Sequence, residues 1–322
     1  MEKPANIKCH IAAGLVVIVW GATFVSTKVL LGHGLEPVEI FLYRFLMAYA
    51  GIWFFSPKKL FAGNLKDELL MVSVGITGGS LYFWAENTAL EYTLASNVSL
   101  IIAATPLITA LLTRLFFRNE KLKPNLIRGS LIALAGVALV VFNGNYILRL
   151  NPLGDMLTLV AALCWGFYSI AMQKLGDRYS PAFITRKIFF YGLVTLIPFI
   201  IIEKTEFHPA ALGTPVVWLN LVFLGVVASL LCYMVWNVAL LKLGTVKASN
   251  YLYFIPLVTM VVSAIAINEK ITVVAAAGAV LILAGVWLAE KGTKKEAGKD
   301  THKNEAADNK KSPPQRQGDN IS

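Results

Sequence analysis

Long runs of apolar residues, separated by short polar segments, extend from near the first residue almost to the end of the chain. A helix needs about 20 apolar residues to cross the roughly 30 Å hydrocarbon core of a bilayer. The runs between proline, glycine and charged residues predict ten such helices. Their approximate bounds are residues 11–31, 39–56, 69–90, 95–117, 125–143, 153–175, 181–202, 215–240, 246–268 and 271–289.

Basic residues are unevenly distributed over the loops between these predicted helices. Cytoplasmic loops of membrane proteins carry an excess of lysine and arginine. With the N-terminus in the cytoplasm, the segments on that side hold 21 basic residues and the other side holds only Arg149, Lys204 and Lys270. The sequence therefore predicts an all-α membrane protein with ten transmembrane helices and with both termini in the cytoplasm. The first apolar run is interpreted as a retained helix, because many further spans follow it.

The second half of the chain repeats the first. A shift of 150 residues places Asn87 on Asn237 and Pro106 on Pro256, each within a longer string of similar residues. A shift of 149 aligns the two NEK strings and the two LAGV strings, and the two WG pairs lie 145 residues apart. Several matches in the same order are not expected by chance, even between apolar helices. The sequence therefore predicts two five-helix repeats.

The predicted repeats cover residues 1–145 and 146–290. Because five is odd, the second repeat enters the membrane from the opposite side, so that a pseudo-two-fold axis in the membrane plane relates the halves. Many secondary transporters use such inverted repeats for alternating access, with the substrate site near the midplane where the repeats meet. The remaining residues, 291–322, mix both charges and lack aromatic side chains. This composition predicts a disordered basic tail in the cytoplasm.

Composition supports a membrane protein and argues against a nucleic-acid partner. Hydrophobic residues make up 57% of the chain and charged residues 15%, whereas soluble domains average about 25% charged residues. The net charge is +10, but eight of the 29 basic residues lie in the tail. A tail of this kind is expected to attract anionic lipid headgroups.

The sequence contains none of the common motifs for catalysis or ATP hydrolysis. The four histidines fall in predicted termini or loops, and no HExxH, GxSxG or Walker A pattern occurs. The cysteines Cys9, Cys164 and Cys232 lack the spacing of a metal site or of a disulfide framework. We therefore expect no metal and no cofactor, and an intramembrane enzyme is the less favoured alternative.

A single acidic residue, Glu86, interrupts the third apolar run. Gly75 and Gly79 form a small-residue face on this predicted helix, which allows another helix to approach closely. Tyr82 and Glu86 continue the same face at helical spacing. We expect Glu86 to point into the bundle and to bind a cation or a proton near the outer side. The alternative is a carboxylate near the interface that is hydrated or paired with a lysine.

The order and spacing of several motifs resemble one known family of membrane proteins. The paired WG motifs, the strings TPLITALL and IPLVTMVVS, the NEK segments and LGDMLTLVAALCWGFYSIAMQKL are similar to the drug/metabolite transporter superfamily, in particular its bacterial EamA type with ten helices. The resemblance covers both repeats and leaves out only the tail. It implies a bundle in which predicted helices 1, 3, 4, 6, 8 and 9 line a central cavity and helices 5 and 10 are peripheral. It also implies export of small metabolites, often amino acids or related compounds.

Polar and aromatic residues on the implied lining helices are the candidate substrate contacts. Pockets for small organic molecules are mostly apolar or aromatic and contain a few orienting polar groups. Tryptophan and tyrosine also mark membrane interfaces, but Trp20 and Trp165 each fall near the middle of a predicted span. The predicted substrate-binding residues are Trp20, Thr23, Tyr82, Glu86, Asn97, Trp165, Tyr168, Tyr233, Asn237, Asn250 and Tyr251.

Two prolines and one arginine complete the set of candidates. Pro106 and Pro256 occupy matching positions inside predicted helices 4 and 9, where each removes a backbone hydrogen bond. Matched kinks are candidate hinges for opening one side at a time, and a static bend is the alternative. Arg44 lies near the start of predicted helix 2, close enough to the outer interface for its side chain to reach water. An arginine on helix 2 also fits the pattern of the family that the sequence resembles, which implies either a structural role or a contact with the substrate.

These observations predict a multi-pass secondary transporter of the bacterial inner membrane. It would export a small organic metabolite, an amino acid or a related compound, by alternating access around a midplane cavity. Its expected partners are the small-molecule substrate and the lipid bilayer, with no nucleic acid. The sequence leaves the oligomeric state open and is compatible with a monomer. A passive channel or facilitator is the alternative, and it would show unsaturable flux where a carrier saturates and shows counterflow.

Overall fold

The computed structural model describes residues 4–56, 60–93, 95–117, 124–142, 151–267, 272–274 and 276–289. All regular secondary structure in this part of the chain is helical. The predicted basic tail, Arg149 and Lys270 lie outside the described residues.

Helices follow the predicted apolar runs in order. Four of them are not regular α-helices throughout, because α4 is interrupted by a turn, α9 contains a 3-10 stretch, and α3 and α8 each contain a π-helical stretch. The helices are α1 (Pro4–Gly32), α2 (Pro37–Ile52), α3 (Leu65–Tyr92), α4 (Ala95–Ile102 and Thr105–Phe116), α5 (Pro124–Phe142), α6 (Pro152–Leu175), α7 (Pro181–Glu203), α8 (Pro215–Leu243), α9 (Thr245–Ser249, the 3-10 stretch Asn250–Phe254, and Ile255–Ile267) and α10 (Ala276–Ala289).

Six helical stretches among the described residues are long and apolar enough to cross a membrane. They belong to α1, α3, α6, α7, α8 and α9. The second piece of α4, together with α5 and α10, is apolar but shorter. The structure thus confirms an all-helical membrane protein, while the ten crossings and the orientation of the termini stay predictions.

The helix starts follow from local sequence signals. A proline occupies the first turn of α2, α6, α7 and α8, where its missing N–H would have had no helical partner in any case. Asn64, Asn151 and Ser180 cap α3, α6 and α7 by accepting a hydrogen bond from the backbone N–H three residues on. Such side-chain caps compensate for donors that the first turn leaves unpaired. These signals explain why the observed bounds lie close to the predicted ones.

The two candidate hinge prolines follow breaks in their helices. The prediction placed them inside continuous helices, which was wrong for Pro106, because α4 stops at Ile102 and restarts at Thr105. Pro256 is the second residue of the last piece of α9, directly after the 3-10 stretch. In a first helical turn, proline disturbs no existing hydrogen bond. A hinge function for these two prolines stays a prediction.

Glycine brings α3 against α7. A Cβ atom added at Gly75 would lie 2.4 Å from Cβ of Tyr191, and one added at Gly79 would lie 3.2 Å from Cα of Gly192. The small-residue face predicted on α3 therefore does allow the close approach of another helix. This contact fixes the rotation of α3 about its axis, and with it the direction of Tyr82 and Glu86.

A second close contact joins α5 to α10. A Cβ atom at Gly129 would lie 2.4 Å from the backbone nitrogen of Ala289, and one at Gly285 would lie 2.4 Å from that of Ala133. These two helices pack backbone against backbone at the edge of the bundle. Among the described residues, neither of them contributes a side chain to the central cavity.

Candidate functional site

A cavity of about 470 Å³, its mouth included, lies inside the bundle. Seven helices contribute to its wall: the six that the family resemblance implied, and α2 in addition. The wall is mostly aromatic and aliphatic. The lining residues are Trp20, Thr23, Phe24, Arg44, Tyr82, Phe83, Glu86, Ile102, Thr105, Trp165, Tyr233, Leu252 and Ile255.

Aromatic rings from both halves of the chain meet at this wall. The rings of Trp20 and Trp165 lie edge to face, 5.2 Å apart between centroids. Tyr82 is 5.2 Å from Trp165, and Tyr233 is 5.9 Å from Trp20. Edge-to-face and tilted contacts at these distances are favourable arrangements of aromatic rings. The result is a rigid wall that offers flat apolar faces to a small molecule.

Arg44 brings a positive charge into the cavity. Its side chain is buried, and its Nε–H donates to Oγ of Ser229 at 3.0 Å. The guanidinium carbon lies 4.1 Å from the ring centroid of Phe83. No described side chain bonds to the two terminal nitrogens of Arg44. The expectation of an arginine that reaches the interface was therefore wrong, because its side chain turns inward to Ser229 on α8.

Glu86 brings a negative charge to the same cavity. Only 7% of the residue is exposed, and its Oε1 accepts a hydrogen bond from the hydroxyl of Tyr82 at 3.0 Å. No ion pair joins Glu86 to any described residue, Arg44 included. The glutamate thus points into the bundle, as its helical spacing with Tyr82 predicts.

The separation of these two charges is chemically unusual. Burying a charge without a partner is costly, and buried charges are therefore normally paired directly. Here a cation and an anion face one cavity, and among the described residues each of them forms a hydrogen bond only with a neutral side chain. In a membrane protein, such residues mark a pathway or a binding site by default. Arg44 and Glu86 thus present one positive and one negative charge to the same cavity.

One hydroxyl on the cavity wall is also available. Oγ1 of Thr105 is buried and lacks a hydrogen-bond partner among the described residues. Buried polar atoms are nearly always hydrogen-bonded, so each exception calls for an explanation. Thr105 begins the second piece of α4, directly after the turn that interrupts this helix. A bound molecule could supply the missing partner.

The structure brings six of the predicted substrate-binding residues together on the cavity wall. These are Trp20, Thr23, Tyr82, Glu86, Trp165 and Tyr233.

Four of the other five predicted residues do not line this cavity. Tyr168 and Asn237 lie behind the wall, where the tyrosine hydroxyl donates to the amide oxygen and the amide nitrogen donates to Thr185 at 2.8 Å. Asn250 and Tyr251 begin the 3-10 stretch of α9, and the hydroxyl oxygen of Tyr251 is 2.6 Å from Nδ1 of His10. The side chain of the fifth, Asn97, is outside the described part of the structure.

Sequence reasoning missed seven of the lining residues. Most are apolar and carry no signal that separates a cavity wall from a lipid-facing surface. Arg44 could have been found, because a single arginine inside an apolar run is expensive and tends to face protein or water. The missed residues are Phe24, Arg44, Phe83, Ile102, Thr105, Leu252 and Ile255.

A bundle of apolar helices around a cavity that contains two charges has the construction of a membrane transport protein. The EamA-like transporter family model matches residues 7–142 and again residues 152–290. The chain belongs to this family, and the predicted resemblance is confirmed.

Individual relatives are similar over most of their length. A protein of Archaeoglobus fulgidus named "Uncharacterized transporter" is 28% identical over 88% of this chain and 97% of its own. An Escherichia coli (strain K12) protein named "Probable amino-acid metabolite efflux pump" is 27% identical over 87% of this chain and 94% of its own. A Streptantibioticus cattleyicolor protein named "Probable terminal-alkyne amino-acid exporter" is 26% identical over 87% of this chain and 92% of its own.

The fold itself is also found in a solved crystal structure. That structure superposes with a TM-score of 0.68 at 17% sequence identity, and 88% of this chain and 97% of the other are covered. At this identity the similarity establishes a common fold alone. The family match identifies the chain as a membrane transporter.

Proposed function

We propose that this protein is a secondary transporter of the bacterial inner membrane that exports a small zwitterionic metabolite, an amino acid or a related compound. The observation that carries the proposal is the pair of buried charges, Arg44 and Glu86, which face one aromatic cavity without bonding to each other. A zwitterion offers a carboxylate to the arginine and an ammonium group to the glutamate. It thereby compensates both charges at once while remaining neutral overall.

The chemistry of each group fits this assignment. A guanidinium presents parallel N–H donors that match the two oxygens of a carboxylate. An ammonium group is attracted both by a carboxylate and by the faces of aromatic rings, which Trp20 and Trp165 provide. The remaining wall is apolar and accommodates a hydrophobic side chain. An anion with several negative charges, such as a phosphate ester, would meet only one described cation in this cavity.

The mechanism in this proposal is alternating access between two inverted five-helix repeats, with ten crossings and with both termini in the cytoplasm. Support comes from the twofold match of the family model, to residues 7–142 and to residues 152–290. Residues of both halves line the cavity, which is where inverted-repeat carriers place their substrate. The printed names of the Escherichia coli and Streptantibioticus cattleyicolor relatives favour outward transport and an amino-acid substrate.

Counterflow in proteoliposomes tests the proposal directly. Vesicles loaded with a panel of unlabelled amino acids are assayed for uptake of the labelled compound, with and without a pH gradient. We expect saturable counterflow of at least one amino acid, and a loss of competition when its amine is acetylated or its carboxylate is amidated. Unsaturable flux would favour a channel, and no counterflow for any zwitterion would overturn the proposal.

The Glu86→Gln variant tests the ammonium subsite separately. We expect its half-saturation concentration for the amino acid to rise about tenfold, because the amide cannot compensate a positive charge. The corresponding deaminated carboxylate should compete relatively better than in the wild type. Glu91→Gln, an exposed change on the same helix, is the matched control and should transport normally. If Glu86→Gln leaves transport and its pH dependence unchanged, Glu86 has only a structural role.

A further inference from the structure

Helices α3 and α8 contain π-helical segments at equivalent positions of the two halves. These segments are Ile76–Ser80 and Phe223–Leu231. The shift of 150 residues that aligns the halves places Gly78 on Ala228, so that each segment holds one of two equivalent carbonyl groups. π-Helical turns inside α-helices occur frequently at functional sites, and they disturb the regular backbone hydrogen bonding. The two carbonyls are therefore available to side chains from neighbouring helices.

Each of these carbonyls accepts a hydrogen bond from an aromatic side chain of the cavity wall. Nε1 of Trp20 donates to the carbonyl oxygen of Ala228 at 3.0 Å. The hydroxyl of Tyr233 donates to that of Gly78 at 2.7 Å. Both bonds are buried and both connect helices, the first between α1 and α8 and the second between α8 and α3.

The two halves use their equivalent residues differently. Trp165 is the counterpart of Trp20, 145 residues further on, and its symmetry-related acceptor would be the Gly78 carbonyl. Instead, the indole N–H of Trp165 is buried and has no partner among the residues that the structure describes, and Tyr233 donates to that carbonyl. The counterpart of Tyr233 is Phe83, which has no hydroxyl group. The Ala228 carbonyl therefore has no equivalent second donor.

We propose that Trp165 and Tyr233 compete for the Gly78 carbonyl and thereby determine which side of the membrane the carrier faces. The inference rests on the proposed inverted-repeat mechanism. In such a mechanism, a bond that one half makes in one conformation is made by the other half in the opposite conformation. The structure contains the Trp20–Ala228 bond. In the opposite conformation Trp165 donates to Gly78, Tyr233 leaves that carbonyl, and Trp20 leaves Ala228.

The groups that would exchange this bond already pack closely together. The rings of Trp165 and Tyr233 are 6.0 Å apart between centroids, and the tyrosine hydroxyl already lies on the contested carbonyl. Tyr168, one turn from Trp165 on α6, packs directly on Gly78, because an added Cβ there would lie 2.5 Å from its ring. A short shift of α6 against α3 could therefore bring the indole N–H to the carbonyl. The indole N–H of Trp236 also has no partner in the described part of the chain. The counterpart of Trp236 is Glu86, so the first half has no equivalent indole whose bond Trp236 would take over.

Distance measurements between spin labels can test this exchange without any substrate. One label pair, at Leu65 and Lys242, reports on the ends of α3 and α8 that share one side of the membrane. A second pair, at Tyr92 and Val216, reports on the opposite ends. All four positions are partly or largely exposed. The full chain is labelled in lipid nanodiscs, in a background in which the buried cysteines Cys9, Cys164 and Cys232 are replaced by alanine.

The expected result is a set of opposite shifts from chemically equal substitutions. Tyr233→Phe and Trp20→Phe each remove a bond of the present conformation. Each should therefore raise the ratio of the opposite conformation to the present one, read from the label distances, by about fivefold or more. Trp165→Phe removes a bond of the opposite conformation. When added to Tyr233→Phe, it should return the ratio towards the wild-type value.

A purely structural role of the two tryptophans predicts a different outcome. Both Trp→Phe changes would then shift the distances in the same direction or leave them unchanged, and either result overturns the proposed exchange. Tyr233→Phe removes a single oxygen atom, so it remains a valid test if a tryptophan variant does not fold. Counterflow of an amino acid together with unchanged distances in all variants would refute the exchange and leave the proposed function intact. Opposite shifts without counterflow would refute the proposed substrate class instead.

Discussion

Two groups of buried charges in this protein differ in how they are paired. In the cavity, Arg44 and Glu86 each bond to one neutral side chain and not to each other. At the start of α3 and α7, by contrast, Lys187 forms an ion pair with Glu68, whose carboxylate also accepts from the hydroxyl of Tyr191 and from the backbone N–H of Ala62. We call the second group the Glu68 network, and it includes the adjacent pair Asp67–Arg178.

The difference separates charges that hold the fold together from charges that are available to a ligand. In the Glu68 network each buried charge has an opposite charge or several hydrogen bonds, so its contribution is confined to the contact between α3 and α7. In the cavity the compensation is incomplete, and the protein bears that cost for as long as no ligand is bound. Burial alone does not distinguish the cavity charges from the Glu68 network, because Arg44 and Lys187 are buried to the same extent.

The largest effect that this comparison predicts is the loss of transport on replacing Arg44. Arg44→Gln should lower saturable counterflow by about 30-fold or more, because removing one member of a buried charge contact costs roughly 2–5 kcal/mol of binding free energy. The thermal unfolding temperature in detergent should stay close to that of the wild type, since the variant loses an incompletely compensated charge. A large drop in unfolding temperature with transport retained would assign Arg44 to the fold instead.

Replacing the lysine of the Glu68 network should have the opposite pattern. Lys187→Met removes the cation but leaves Glu68 its bonds to Tyr191 and Ala62. We expect the free energy of unfolding to fall by about 2 kcal/mol, as measured by denaturant titration of the purified protein in micelles. The half-saturation concentration of the folded fraction should be unchanged. The double variant Lys187→Met/Glu68→Gln is the control and should recover part of the lost stability, because it also removes the unpaired carboxylate.

The smallest effect is expected at the exposed end of the same network. Arg178 lies 2.9 Å from Asp67, but its side chain is 52% exposed while that of Asp67 is 6% exposed. Ion pairs with a solvent-exposed partner contribute about 0–1 kcal/mol. Arg178→Gln should therefore change the free energy of unfolding by less than about 1 kcal/mol in the same titration, and salt should reduce the difference further. If Arg178→Gln lowered the free energy of unfolding as much as Lys187→Met does, solvent exposure would not determine how much these ion pairs contribute to stability.

The helices themselves could be predicted closely from the sequence. Long apolar runs, prolines in first turns and the caps at Asn64, Asn151 and Ser180 act over a few residues, so their signals survive without the tertiary structure. The direction of Glu86 was predictable for the same reason. Tyr82 and Glu86 lie one turn apart on the α-helical piece Leu81–Tyr92, directly after the glycine face of α3.

The composition of the cavity wall could be predicted only in part. Asn237 and Tyr168 looked like substrate contacts, but they satisfy each other behind the wall. The hydrogen bond between them joins α6 and α8, and its two residues are 69 positions apart in the sequence. No local pattern indicates such a contact. Lipid-facing side chains are as apolar as buried ones, so hydrophobic periodicity does not reveal which face of a membrane helix points inward.

The sequence by itself determined the helical architecture, the repetition of its two halves and the membrane environment, because these depend on the length, order and composition of apolar segments. The tertiary structure alone decided that Arg44 turns inward to Ser229 and shares a cavity with Glu86. It also decided that Tyr233 rather than Trp165 holds the Gly78 carbonyl. These contacts join helices that are distant in the chain, and their partners are chosen by the packing of the whole bundle.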